Sequence, residues 1–277
     1  MIIYMNWSLD IPKIIHLYWG GLKLIYMRYL TVKTLLKYNP GWEIKLWYPT
    51  RPFVGKSWEH PPCWEEWKEE LCKDYLQELM KLPITLCPVD FEALGFAPDT
   101  AEVQKADYIR LNVMHLMGGV WSDMDIIYFA SLENLRVNIP SNRDVETYVC
   151  IADYGHSTGF HLSRKGSRFF KEMFDLYKIE FDPKSYQICG PDMFNKYHRY
   201  IDSIPNAINL DMDVVYAHNC FILHEVFDGS APRFTDGSIG YHWYAGHPIW
   251  FKFYNDTAGG EKNLPDNIIG NLIKNAV

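Results

Sequence analysis

The run at residues 118–128, GGVWSDMDIIY, constrains the fold more than any other stretch of this chain. Its valine, tryptophan, isoleucine and tyrosine residues are typical of a buried strand, whereas Asp123 and Asp125 place two carboxylates at the mouth of that strand. An unpaired carboxylate in apolar surroundings costs several kcal/mol or takes up a proton. The sequence therefore predicts that a cation reaches this strand end.

The rest of the chain predicts alternating strands and helices. Hydrophobic periodicity and the glycine and proline breakers predict, in chain order, strand 13–19, helix 24–38, strand 42–48, helices 63–81 and 100–117, strands 147–152 and 158–162, and helices 167–177 and 191–200. The opening β-α-β order is typical of a parallel sheet. A chain of 277 residues fits one α/β domain.

Composition excludes some partners. The formal charge of −7 and the absence of a Lys/Arg-rich run argue against a nucleic-acid binder, so an anionic ligand must be met by a metal or a few placed cations. The 10 Trp and 19 Tyr residues suit sugar or base stacking and suit a core equally well. Six cysteines without zinc-ligand spacing, and no apolar run of the ~20 residues that a membrane span needs, predict a cytoplasmic protein. We expect a bacterial, phage or large-virus source.

Aspartates two positions apart, where a strand gives way to a loop, can converge on one hard cation. Such Mg²⁺ or Mn²⁺ sites keep open positions that recruit substrate phosphates. The triplet alone is a weak signal, because Asp211 and Asp213 repeat it in this chain. The residues that precede Asp123 distinguish the two copies.

These preceding residues resemble the sugar-binding region of DXD glycosyltransferases, most closely glycosyltransferase family 32, with motif similarity to the glucosylating domain of large clostridial toxins. The shared pattern is filled here by Asp107, Arg110, Gly118, Gly119, Trp121, Asp123 and Asp125. Four further segments are similar: IPKIIHLYWGG, NPGWEIKLWY, GPDMF and YHWYAGHPIW, so the resemblance spans roughly residues 11 to 250.

The resemblance implies a GT-A fold, a Rossmann-like and mostly parallel sheet flanked by helices, in one domain over residues 1–277. About residues 1–130 form the nucleotide-sugar-binding half, and about 131–277 form the acceptor-binding half. It further implies transfer of a sugar from a nucleotide-sugar to a glycan or other hydroxyl acceptor, with Mn²⁺ or Mg²⁺ as cofactor. UDP is the favoured nucleotide, and GDP stays open.

The same resemblance assigns roles to individual residues. Asp123, Asp125 and His242 are the metal ligands, with His247 competing for the third position; Trp19, Asp107, Arg110, Asp123 and Trp250 bind the donor; and Asp192, with Asp125, serves catalysis. Asp192 acts either as the base of an inverting enzyme or as a stabiliser of the oxocarbenium ion in a retaining one, and family 32 implies retention. The plain alternatives are a core tryptophan at position 19, a helix ion pair between Asp107 and Arg110, and structural histidines.

Two other classes of protein stay open at this point. A haloacid dehalogenase-type phosphohydrolase also carries Asp-x-Asp after a strand, but there the motif follows the first strand, whereas Asp125 lies mid-chain and is followed by two isoleucines. A non-catalytic sugar-binding module is supported only by the aromatic content.

Overall fold

The computed structural model of the protein describes residues 3–4, 11–20, 23–51, 73–137, 143–152, 155–227, 234–247, 249–250 and 268–276. Its strands are β1 (Ile3–Tyr4), β2 (Ile14–Tyr18), β3 (Glu43–Pro49), β4 (Thr85–Val89), β5 (Gly119–Ser122), β6 (Ile126–Tyr128), β7 (Arg136–Val137), β8 (Thr147–Ala152), β9 (Gly155–Ser163), β10 (Ala207–Leu210) and β11 (Gly240–His242). Its helices are α1 (Tyr26–Tyr38), α2 (Leu76–Leu79), α3 (Glu102–Leu116), α4 (Arg168–Glu180), α5 (Pro191–Tyr197), α6 (His224–Phe227) and α7 (Ile268–Ala276).

A seven-stranded sheet forms the centre of the molecule, in the order β10-β8-β9-β5-β2-β3-β4. Strand β9 is antiparallel to both of its neighbours, and every other pairing in this sheet is parallel. The expected α/β class with a mostly parallel sheet is therefore confirmed. Strands β3 and β4 extend the sheet on one side of β2, whereas β5 pairs on its other side, which makes the gap between β2 and β5 a topological switch point.

The strands carry apolar side chains on both faces of this sheet, and helices cover both faces. Val32 and Leu35 of α1 lie in one hydrophobic cluster with Val120 of β5. Trp121, the next residue of β5, lies in a second cluster with residues of α3, α4 and α5, among them Ile109. Neighbouring residues of a strand point to opposite faces, so the two clusters lie on the two sides of the sheet.

Two glycines make the sharp turn from α3 into β5. Gly118 and Gly119 have φ angles of 66° and 104°, which side-chain-bearing residues rarely adopt. A Cβ atom on Gly119 would lie 2.4 Å from the Ile14 carbonyl oxygen, so β5 can pair closely with β2 only if a glycine stands there. The Gly118 carbonyl accepts a hydrogen bond of 2.9 Å from His16 Nε2, and burial lowers the pKa of His16 to about 4, so this imidazole stays neutral.

The predicted elements agree with most of the observed ones. The strand at 147–152 is found as predicted, and the helices predicted at 24–38 and 100–117 are observed as Tyr26–Tyr38 and Glu102–Leu116. The predicted helix 63–81 lies mostly outside the described residues, and within 73–81 only Leu76–Leu79 is helical, so its predicted end is wrong. None of the helices in the described part of the chain is long and apolar enough to cross a membrane. The cytoplasmic location stays a prediction.

Candidate functional site

The two aspartates of the 118–128 run lie at the switch point of the sheet. Asp123 directly follows β5, and its backbone N–H donates a 2.8 Å hydrogen bond to the carbonyl of Gly159 on the reversed strand β9. Its side chain is held from within the same run, since Trp121 Nε1 donates to Asp123 Oδ1 at 2.8 Å. Ligands of parallel sheets bind beyond the carboxyl ends of the strands at such a point, so the aspartates lie where a ligand is expected.

A histidine from the C-terminal third completes a group of three ligands. Strand β11 pairs antiparallel with β6, and its register sets His242 opposite Ile126, next to Asp125. His242 Nε2 lies 3.2 Å from Asp125 Oδ1, and one ligand atom from each of Asp123, Asp125 and His242 lies within 4.8 Å of the other two. The structure brings His242 into this group and not His247, whose Nδ1 accepts a hydrogen bond from the Ile249 N–H at 3.3 Å.

A tight turn after β11 fixes the orientation of Asp125. The Trp243 N–H donates to the Asp125 carbonyl, and the Ala245 N–H donates to Asp125 Oδ2, both at 2.9 Å. Between these two donors, Tyr244 has a φ of 50°, the only positive φ among the described non-glycine residues. Residues held in this region cost about 1–3 kcal/mol and cluster at functional sites. Here the strained residue aims the second N–H at the carboxylate.

A buried ion pair lies beside the aspartates. Arg110 pairs with Asp107 one turn earlier on α3, and both side chains are almost fully buried. Arg110 also lies 3.8 Å from Asp123 Oδ1 and packs over the Trp121 ring. Its Nε is buried without a hydrogen-bond partner among the described residues. The Asp107–Arg110 pair is therefore part of the interior of the site and not a surface helix pair.

Burial and neighbouring charges shift the three carboxyl groups in different directions. Burial raises the pKa of Asp107 to about 6, against the opposing effect of Arg110. Burial also raises the pKa of Asp123, and the nearby Asp125 carboxylate adds to this rise. Burial alone would raise the pKa of Asp125 as well, but His242, Arg28 and the Ala245 N–H together hold it well below its usual value. Of these three carboxyl groups, Asp125 is therefore the one whose surroundings favour the ionised form most strongly.

The residues present fit a divalent cation. Two carboxylates and one imidazole form a donor set that hard and borderline divalent ions accept, and three protein ligands leave positions for other oxygens. Gly159 leaves the room that this set needs: a Cβ atom there would lie 3.0 Å from Asp123 Oδ2, 3.3 Å from His242 Nε2 and 2.9 Å from the Tyr216 hydroxyl. We call this space beside Asp123 and His242 the cradle; it depends on Gly159, which no sequence motif indicated.

The two predicted tryptophans have different surroundings. Trp19 follows β2 at the same sheet edge, is only partly buried, and carries a buried Nε1 without a hydrogen-bond partner among the described residues. Trp250 is fully buried, with its ring centroid 5.2 Å from that of Trp243. A donor contact by Trp250 would require this packing to open, and its donor-binding role stays a prediction.

The predicted catalytic residue Asp192 is exposed in the first turn of α5. Its segment nevertheless reaches the site, because a Cβ atom on Gly190 would lie 3.5 Å from Asp107 Oδ2. Tyr186 lies on the loop that precedes α5 and is 43% exposed. Partial burial raises the pKa of its phenol, and the charges of Asp107, Asp125 and Asp123 add to this rise. No sequence signal indicated Tyr186, since it stands in an irregular loop.

Comparisons with known proteins identify the fold of this chain. No protein-family model and no curated protein sequence matches this chain. Among solved structures, the glycosyltransferase GlyE of Streptococcus pneumoniae matches with 14% identity and a TM-score of 0.50, covering 96% of this chain and 63% of that chain. The chain thus spans less than two thirds of GlyE, and at this identity the likeness establishes the fold, which is the expected GT-A fold.

Two other solved structures are similar at lower TM-scores. The PaToxG glycosyltransferase has 19% identity and a TM-score of 0.47, with 70% of each chain covered. Mouse xyloside xylosyltransferase 1 has 11% identity and a TM-score of 0.46, with 87% of this chain and 100% of that chain covered.

Proposed function

We propose that this protein is a metal-dependent glycosyltransferase that moves a sugar from a nucleoside diphosphate sugar, with UDP favoured, to a glycan or other hydroxyl acceptor. One observation carries the proposal: Asp123, Asp125 and His242 converge at the switch point of a GT-A sheet, beside the buried Asp107–Arg110 pair. A site that needs a cation and also presents a cationic side chain suits a diphosphate bound through a metal.

Each residue then has a role that its position supports. Asp123, Asp125 and His242 would hold Mn²⁺ or Mg²⁺, and the bound ion would supply positive charge to neutralise the diphosphate leaving group. Asp107 accepts hydrogen bonds from the donor sugar, and the free Nε–H of Arg110 donates to sugar or phosphate oxygens. Trp19 stacks on the nucleobase, with its Nε1–H as a further donor. These groups are fixed before the donor arrives, which is how preorganised dipoles stabilise developing charge.

The acceptor side is proposed to lie in the second half of the chain. In the proposed division, residues 1–130 bind the donor and residues 131–277 bind the acceptor, although His242 of the second half joins the metal site. Asp192 is the proposed catalytic carboxylate. Its exposure leaves it accessible to an acceptor, and the adjoining Gly190 lies against the Asp107 carboxylate that we assign to the donor sugar. Retention of configuration is favoured by resemblance to family 32.

Calorimetric titration of UDP and then GDP, with Mn²⁺ and with EDTA, tests the proposal. We expect one nucleotide to bind with Mn²⁺ and to lose its binding in EDTA. A screen of nucleotide-sugars for metal-dependent hydrolysis then identifies the sugar. If neither nucleotide binds with metal, the transferase assignment fails.

The rival classes give different results in the same assays. Release of phosphate from simple esters, without nucleotide-sugar hydrolysis, would identify a phosphohydrolase. Binding of free sugars without any turnover would identify a sugar-binding module.

A further inference from the structure

Arg28 lies at the candidate site although no motif in the sequence indicated it. It stands in the first turn of α1, and its guanidinium carbon lies 4.7 Å from the centroid of the Trp19 ring and 5.7 Å from that of the Trp243 ring. Contacts of a guanidinium with aromatic faces are favourable and hold the group in one place. The two tryptophans therefore position a cation next to the proposed nucleobase-binding residue.

The face of α1 that carries Arg28 runs along the two aspartates. Thr31, one turn further on, donates a 3.0 Å hydrogen bond from its hydroxyl to the carbonyl of Met124, the residue between Asp123 and Asp125. Residues three apart lie on the same face of a helix, so Arg28 points to the same edge of the sheet.

Helix stability does not account for a cation at this position. The first turn of a helix carries the positive end of its dipole, where a basic side chain is unfavourable, and no acidic residue stands in the first turn of α1. No carboxylate of a described residue forms an ion pair with Arg28, whereas Arg110 pairs with Asp107 and Lys105 pairs with Glu102. Arg28 is thus a cation at the site that has kept its charge unpaired within the described chain.

The charge balance of the occupied site calls for such a cation. Asp107 and Arg110 neutralise each other, and a divalent ion neutralises Asp123 and Asp125. A nucleoside diphosphate sugar then brings two further negative charges, one on each phosphate, into a partly buried site where unpaired charge is costly. The planar fork of an arginine matches phosphate oxygens and forms strong, charge-assisted hydrogen bonds with them.

From these observations we infer that Arg28 binds the diphosphate of the donor, and that Trp19 and Trp243 hold its guanidinium for this task. The inference rests on the proposed function and adds a specificity residue to it. Arg28 discriminates a nucleoside diphosphate from the uncharged nucleoside, whereas Trp19 serves both.

The test compares a nucleoside diphosphate with its nucleoside in wild type, Arg28→Met and Arg28→Lys, by calorimetry with Mn²⁺. The probe is UDP or GDP, whichever the wild type binds, and the matching nucleoside is measured by competition. Arg28→Met should weaken the diphosphate about 10- to 100-fold, the range expected for lost hydrogen bonds between charged groups, and weaken the nucleoside less than about 2-fold. Arg28→Lys should recover part of the loss, because it keeps the charge without the fork.

A matched control separates this effect from a general loss of a cation on an aromatic ring. Arg199 lies 5.9 Å from the ring centroid of the exposed Tyr200, and Arg199→Met should leave both affinities unchanged. Thermal melts of each variant check folding, and Arg28→Gln replaces Arg28→Met if the latter does not fold.

Two results would overturn the inference while leaving the proposed function intact. The first is an unchanged diphosphate affinity in Arg28→Met. The second is an equal loss of affinity for diphosphate and nucleoside, which is expected if Arg28 only holds the tryptophan side chains in place. A wild type that binds neither UDP nor GDP with Mn²⁺ would overturn the proposed function and this inference together.

Discussion

The chain contains two Asp-x-Asp triplets in closely comparable positions, yet their surroundings are opposite. Asp123 and Asp125 follow β5, and Asp211 and Asp213 follow β10, a strand of the same sheet running in the same direction. Asp211 is exposed, and its Oδ1 accepts a 3.1 Å hydrogen bond from the Asp213 N–H, which caps a short 3-10 helix at Met212–Val214. The second triplet ends a strand and starts a turn.

The difference lies in what surrounds the carboxylates and not in the triplet. Strand β10 is at the edge of the sheet, whereas β5 adjoins the switch point, where neighbouring elements enclose the strand end. Around the first triplet, α3 supplies Arg110, α1 supplies Arg28 and β11 supplies His242. A pair of aspartates becomes a candidate site when other elements enclose it and bring cations and a third ligand to it.

The largest expected effect comes from removing the cation nearest to the first triplet. Arg110→Met leaves the buried Asp107 carboxylate without its partner and should lower the free energy of unfolding by about 3–5 kcal/mol, measured by urea denaturation. The matched control is Lys178→Met, which breaks an exposed pair of the same i,i+3 spacing on α4 and should cost no more than about 1 kcal/mol. Equal losses in the two variants would contradict the buried-pair assignment.

Removing the equivalent carboxylate from each triplet sharpens the comparison in binding. Asp125→Asn should weaken metal-dependent nucleotide binding at least about 100-fold, because it removes a proposed metal ligand. Removing only a residue that hydrogen-bonds to a metal ligand already lowers metal affinity about 10- to 100-fold in metalloproteins. Asp213→Asn should leave the affinity within about 2-fold, measured by the same titration with Mn²⁺. A similar loss in both variants would mean that the two triplets are equivalent after all.

Filling the cradle beside the first triplet should have a smaller effect. Gly159→Ala places a methyl group against Asp123, Tyr216 and His242, and we expect the affinity for Mn²⁺ to fall about 10-fold as the ligands shift. Gly237→Ala is the control, since the nearest atom to a Cβ there is Thr235 Oγ1 at 3.6 Å. An unchanged Mn²⁺ affinity in Gly159→Ala would show that the three ligands adjust without cost.

Substitutions in the second triplet should affect only the capping of the short helix at Met212–Val214. Asp211→Ala should lower the free energy of unfolding by about 0.5–1 kcal/mol without any change in nucleotide binding, because it removes one hydrogen bond to a short helix. Asp211→Asn keeps an acceptor for the Asp213 N–H and should retain most of that stability. Loss of nucleotide binding in either variant would place the second triplet in the active site.

The sequence predicted those parts of the molecule whose signals are local. Helices α1, α3 and α4 lie between clear breakers, and their observed bounds lie within about three residues of the predicted ones. The run at residues 118–128 was predicted as one strand, but it forms two strands, β5 and β6, which belong to different sheets and are separated by the aspartates. Strand β4 was not predicted because it is a partly exposed edge strand that includes Pro88, and such strands lack a clean alternation. Strands β10 and β11, of four and three residues, are too short to show a period.

The site itself was predicted as far as its residues lie in one segment. Asp107, Arg110 and Asp123 come together because an i,i+3 pair and a glycine turn are readable locally. Arg28 and Gly159 enter the site only through tertiary packing and carry no local motif. His242 was proposed from resemblance, but its position next to Asp125 depends on the pairing of β11 with β6, a register that no local pattern specifies.

The hydrogen bond from the Ala245 N–H to Asp125 joins residues 120 positions apart. Contacts of this separation form late, since a long loop must close before they contribute any free energy. During synthesis, the two carboxylates leave the ribosome well before the strand that completes their cradle. A divalent ion that binds only the finished arrangement adds its binding free energy to this last docking step. Metal affinity, under the proposed function, would therefore also report whether β11 has docked against β6, and undocking of β11 should release the ion before the central sheet is lost.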